Sequence, residues 1–342
     1  MVGPATVLRA RFNVQQGMIA RRWRVLVAAC SAIASACLLA ITSPLPLHAQ
    51  PGHGLKIVDS REVKVRGGVL QVDFAEGQLD QPQDILRRIQ SAASAVETYY
   101  GRFPVPRVRI LVVPVAGRRG VVQGTTWGDM AGFPGMTRLR VGEHTTDEDL
   151  RDDWTTTHEL VHMGFPTLPD DQHWMEEGLA VYVEPLARVM TGELKASQVW
   201  HDVMRDMHQG EPGAGDEGLD HTHSWGRTYW GGAMFCLVAD VAIREKTRNR
   251  KGLRDALRAI VEHGGTIDQN WDLAKALAIG DAATGTHVLT EQYAKWKDKP
   301  VTVDLGSMWA ELGIKFDGDQ VLLVPNAPLA NIREAITGER VR

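Results

Sequence analysis

Within "DDWTTTHELVHMGFP", His158 and His162 stand four residues apart, with Glu159 directly after the first. On a helix, residues at i and i+4 are stacked neighbours, so both imidazoles can turn to one ion about 2.0–2.1 Å from each nitrogen. Glu159 is rotated by one residue. That offset leaves it outside the pair of ligands yet within reach of a water beside the ion, where a general base must sit. A bare H-E-x-x-H also arises by chance in amphipathic helices, so its meaning depends on its frame and on a third ligand. The frame is present: Thr146-x-x-Asp149 reads as a capping pattern, Leu150, Trp154, His158 and Val161 keep helical spacing, and Gly164 and Pro166 mark an end. Together they predict one helix over Asp147–Met163.

Hydrolytic zinc sites use three protein ligands and keep a fourth position open. A metzincin continuation would put glycine where Phe165 stands and histidine where Leu168 stands, so the third ligand lies elsewhere. Fifteen positions after His162 comes Glu177, in "HWMEEGLAVYVEP", on a predicted helix over Asp171–Met190. The segment "GFPTLPDDQ" makes the turn, so Glu177 can arrive from the opposite side and complete a His, His, Glu set. Glu184, two turns beyond Glu177, shares its face and reads either as a group orienting a ligand histidine or as a solvent-facing carboxylate. Glu176 reads as a neighbour of the site, and His173 as lining the cleft or capping a surface turn. His221 and His223 in "DHTHSWG" read as a solvated loop in preference to a second metal site. Trp127, Trp174, Trp225 and Trp230 read as groove lining or as core. Cys236, inside an apolar helical pattern, reads as a small buried residue.

At these residues the chain resembles the gluzincins, and within them the peptidase MA-like group related to aminopeptidase N and the glycyl aminopeptidases, whose second motif commonly reads W-x-x-E-G-x-A-x-Y. "HELVH" and "WMEEGLAVYVE" carry the resemblance over two helices. It implies zinc held by His158, His162 and Glu177, Glu159 as general base, a zincin-like (thermolysin-like) catalytic domain, and a peptide or protein substrate. The gap from His162 to Glu177 is shorter than in aminopeptidase N, which leaves Glu176 open beside Glu177. "RTYWGGAMFCLVADV" matches the family's Y-x-x-G pattern, which implies that Tyr229, followed by Gly232, donates to the oxyanion. The related aminopeptidases hold the substrate's free amine with a glutamate of a G-x-M-E-N segment. "AGFPGMTRLRVGE" lacks it, and Glu143 stands in a different setting, so an endopeptidase is favoured over an aminopeptidase. Two rival readings keep the motif: an exported protein that docks peptides or envelope components without hydrolysis, and a zinc hydrolase of non-peptide amides or esters.

These residues need elements to hold them. "LKIVDSREVKVRGGVLQVDF" alternates apolar and polar around Gly67-Gly68 and predicts two strands; spacing over Pro82–Tyr100 predicts an amphipathic helix; "RVRILVVPV" and "MTRLRVG" predict strands. The glycine-rich stretch from Gly117 to Gly135 reads as an exposed loop or bulged edge. Beyond Thr146 helices are predicted over Asp147–Met163, Asp171–Met190, Ser197–His208, Tyr229–Lys246, Gly252–His263 and Thr290–Asp298. The polar segment from His208 to Ser224 reads as a long functional loop, and "QVLLVP" as part of C-terminal strands before a short helix through Ile332. Strands first and helices after give an α+β class. The expected division is 1–49 as signal, 50–145 as sheet, 146–300 as the helical metal-site part and 301–342 as C-terminal strands and helix.

The 342 residues can bury a large core, and a net charge of −4 with interleaved signs offers no basic face for nucleic acid. Arg21, Arg22 and Arg24 precede the apolar run Val25 to Ile41, and "TSPLPLHAQ" follows, the order of a secretory signal cleaved after Ala49. The expectation is therefore an exported protein, periplasmic or secreted, that meets a membrane only through this segment if it stays uncleaved.

Overall fold

A computed structural model describes residues 54–318 and 320–338. The expected signal and its cleavage point lie outside the described residues. β1 (Ile57–Val65) and β2 (Gly68–Ala75) form an antiparallel hairpin, turned at Gly67, whose φ of +94° suits a residue without a Cβ. α1 (Pro82–Tyr100) follows, with proline in its first turn and Gly101 left-handed at its end. Its apolar stripe of Ile85, Ile89, Ala92, Ala93, Val96 and Tyr99 is buried. The stripe covers the sheet face that carries Leu70, Val72, Ile110, Val112, Leu139 and Val141.

β3 (Arg107–Val115) pairs parallel to β2, β5 (Phe133–Gly142) pairs parallel to β3, and β4 (Val121–Met130) pairs antiparallel to β5. The order β1-β2-β3-β5-β4 makes β4 an edge strand. The glycine-rich stretch is therefore the bulged edge of the two alternatives, with a register shift between Val121 and Gln123.

The helix expected over Asp147–Met163 is two helices. α2 (Asp147–Arg151) has the capping box of Thr146 and Asp149, and the chain then breaks before α3 (Thr155–Val161). The cause is Asp153: its Oδ1 accepts from Thr156 N at 3.2 Å, its Oδ2 accepts from Arg88 Nε at 3.0 Å, and its carbonyl accepts from Arg88 Nη2 at 2.8 Å. A carboxylate that satisfies a new helix start competes with the helix already running. α3 tightens into a 3₁₀ turn over His162–Gly164.

α4 (His173–Met190) carries the second motif, and α5 (Ala196–Asp206) follows it. A π-helical turn over Arg227–Gly231 leads into α6 (Gly232–Thr247). α4 and α6 cross where Gly178 meets Gly232; a Cβ on either would fall on the backbone of the other helix. α7 (Leu253–Glu262), α8 (Leu273–Thr284), α9 (Val288–Trp296) and α10 (Leu305–Leu312) complete the helical part, before the hairpin β6 (Ile314–Asp317) and β7 (Gln320–Leu323) and then α11 (Ala330–Thr337). α8 and α10 were not among the expected helices. α8 is alanine-rich and lacks a clean apolar stripe, and α10 has only eight residues, too short for a period to emerge. The class is mixed α+β, a five-stranded mixed sheet with helices. No helix among the described residues is long and apolar enough to cross a membrane.

Candidate metal centre

His158, His162 and Glu177 come together, each buried, with one ligand atom apiece within 4.8 Å of the others. Glu177 Oε2 lies 3.1 Å from His158 Nε2 and 3.8 Å from His162 Nε2. Bonds of 2.0–2.1 Å at tetrahedral angles set ligand atoms about 3.3 Å apart, so these spacings fit one ion. Two imidazoles and a carboxylate are a donor set suited to zinc. Of the adjacent glutamates it is Glu177 that stands with the two histidines; Glu176 instead accepts from Leu168 N at 3.3 Å and bonds His173 Nδ1 at 2.6 Å.

Burial works against ionising Glu177, but the nearby His162 and hydrogen bonds from His158 and His173 hold its carboxyl well below the usual range. Burial likewise works against protonating His158, and the hydrogen bond and charge of Glu177 outweigh it, raising the imidazole. The carboxylate thus sits ionised in a closed place that favours a cation.

Glu159 is buried beside this cluster, and its position comes from the edge strand. Thr126 Oγ1 donates to Glu159 Oε2 at 2.6 Å and lies 3.0 Å from Thr137 Oγ1 of β5. Gly124 makes the approach possible, because a Cβ there would strike the Glu159 side chain. Before His158, Thr157 Oγ1 accepts from Arg88 Nη2 at 2.6 Å, which ties α3 to α1. The buried Arg88, Arg188 and Glu184 continue as an ionic network that reaches the surface at Glu193: Arg88 Nη1 and Arg188 Nε each lie 3.2 Å from Glu193 Oε2, and Arg188 Nη1 lies 3.0 Å from Glu184 Oε1.

Glu184 is buried and takes its hydrogen bond from Arg188, so the solvent-facing alternative is excluded. Burial pushes its pKa up against the pull of Arg188. Tyr229 stands in the π-helical turn, its ring 6.4 Å from that of His158 and nearly parallel to it. Such turns insert one residue and re-aim the side chains around it. Trp225 stacks on the outer side of Tyr229 at 5.7 Å and is 38% exposed. Arg227 anchors the loop before this turn through an ion pair with Asp216 at 2.8 Å and a hydrogen bond to the Gly210 carbonyl.

Other candidates separate from the cluster. His221 pairs with Asp298 at 2.9 Å in solvent, and His223 is exposed. Trp174 is core, its Nε1 donating to Asp220 Oδ1 at 2.8 Å, while Trp127 is half-buried under Arg138 and Trp230 is packed against the core. Cys236 is buried, and burial pushes its thiol far up. Glu143 accepts from Gly117 N at 3.0 Å. Sequence reasoning missed Thr126, Gly124 and Arg88, whose roles depend on which strand and helix lie beside α3; no spacing within the chain announces that.

No family model and no curated protein sequence matches the chain. Among solved structures it is similar to an aminopeptidase N family protein from Idiomarina loihiensis, with 13% identity, a TM-score of 0.55, and coverage of 75% of this chain and 49% of that one. A weaker match is an M1 zinc metallopeptidase from Deinococcus radiodurans, with 14% identity, a TM-score of 0.47, and coverage of 72% and 53%. The chain spans about half the length of these structures. Its mixed α+β fold is one also found within the aminopeptidase N family protein.

Proposed function

We propose that the protein is an exported zinc-dependent peptidase whose metal is held by His158, His162 and Glu177. The observation that carries this reading is the convergence of Glu177 Oε2 on the two Nε2 atoms, from a different helix and with every member buried. Zinc bound there would polarise a carbonyl and acidify a water. Glu159, held by Thr126, takes the proton from the attacking water and returns it to the leaving amine. Tyr229 donates its hydroxyl to the oxyanion, charge that develops only during attack, where a fixed donor helps most.

Glu159 packs against Gly124 and Thr126 of β4, and the outer edge of that strand, last in the sheet among the described residues, would align an extended peptide as an added strand, in a thermolysin-like arrangement. Residues 50–145 and 146–300 would then be the two halves of one catalytic unit. The proposal extends to internal cleavage in preference to removal of N-terminal residues, and rests there on the sequence "AGFPGMTRLRVGE", which lacks the amine-holding G-x-M-E-N segment.

The test compares zinc-loaded wild type and Glu159→Gln on a library of blocked and unblocked peptides. Internal cleavage by the wild type, lost in the variant while zinc is retained, supports the reading. Peptide binding without cleavage by either protein overturns it in favour of docking, and cleavage of esters or non-peptide amides alone overturns the substrate class.

A further inference from the structure

His173 opens α4, and its ring is clamped between two carboxylates: Nδ1 lies 2.6 Å from Glu176 Oε2 and Nε2 lies 3.2 Å from Glu177 Oε1. Glu176 is fixed from its other oxygen by Leu168 N, in the segment linking α3 to α4. The two oxygens of Glu177 therefore have separate assignments. Oε2 faces His158 and His162, while Oε1 faces His173.

A helix-stabilising role accounts poorly for this arrangement. A histidine in the first turn of a helix gains nothing from the helix dipole, whose positive end lies there. An ionised carboxylate only accepts, so the ring nitrogen nearest Glu177, Nε2 at 3.2 Å from Oε1, is placed to donate to it. The outcome is a nitrogen 3.2 Å from Oε1 of Glu177, while the nearest contacts of His158 and His162 are to Oε2. The His173 side chain is 32% exposed against 2% for Glu177, so it stands on the solvent side of the carboxylate.

We propose that His173 is a positioning residue that restricts Glu177 to one ligating oxygen and so keeps a coordination position open for water and substrate. The inference rests on the metal centre proposed above. Groups that orient metal ligands through hydrogen bonds typically change metal affinity about 10–100-fold when removed. Without His173, Glu177 is free to rotate or to bind through both oxygens.

The experiment titrates metal-stripped wild type, His173→Phe, His173→Gln and Glu176→Gln with zinc against a chromophoric chelator, and records visible spectra of the cobalt-loaded proteins. His173→Phe is expected to weaken zinc binding about 10–100-fold and to alter the intensity of the cobalt bands, because coordination number changes. His173→Gln, which keeps a donor, is expected to recover part of the affinity, and Glu176→Gln to fall between. Circular dichroism of the apoproteins checks folding; should His173→Phe fail to fold, the two glutamine variants carry the test. Zinc-loaded wild type with variants of unchanged affinity and unchanged cobalt spectra overturns this inference alone. Wild type that takes up no zinc overturns the metal centre and this inference with it.

Discussion

Glu159 and its two flanking histidines are the part most legible in sequence, because their chemistry follows from spacing along a single turn. What the spacing omits is the support from other elements. Thr126 reaches Glu159 from β4 and Arg88 reaches Thr157 from α1, contacts spanning 33 and 69 residues along the chain. A hydrogen bond to a charged group contributes about 1.5–3 kcal/mol. Thr126→Val is accordingly expected to lower kcat/KM roughly 10–100-fold, with zinc content unchanged. Steady-state kinetics and metal analysis of the same preparation check this. Glu159→Gln should cost at least about 10²-fold in kcat and likewise keep its metal. Protons compete with metal for His158, whose pKa is raised, so zinc affinity should fall as pH drops through the histidine range. Chelator competition at a series of pH values reads this directly; an affinity that rises on acidification would contradict histidine ligation.

At the scale of elements, periodicity marks α1, α4 and the strands β1, β2, β3 and β5, whereas β4 reads only as a loop or bulged edge and the interruption between α2 and α3 is hidden. The capping box of Thr146 and Asp149 is real, but Asp153 carries a second start signal whose effect depends on Arg88 arriving from α1. Close approaches were equally invisible. Gly178 and Gly232 let α4 and α6 touch, and that crossing lies one residue from Glu177 and three from Tyr229. Gly178→Ala should therefore destabilise the protein by about 1–3 kcal/mol through overpacking. Denaturant unfolding gives the cost, and kinetics should show that activity falls further than the folded fraction does. Equal falls would mean the crossing acts only on stability.

At the scale of the molecule, strands before helices in the sequence imply the α+β class that the chain adopts. Strand order was beyond reach, since β5 inserts between β3 and β4 and nothing local encodes that exchange. It matters for function because it places β4 at the edge, beside Glu159. The metal cluster joins α3 to α4, so zinc should stabilise the whole fold. With free zinc about 1,000 times its Kd, stabilisation reaches about 4 kcal/mol and should appear as a raised Tm that chelation reverses.

The most direct measurement is the metal content of the purified protein, taken for the wild type and for Glu177→Ala. About one zinc per chain is expected, bound by His158, His162 and Glu177, with most of it lost in the variant. Zinc retained at the wild-type level by Glu177→Ala, or a wild type that is metal-free and indifferent to chelators, would contradict it.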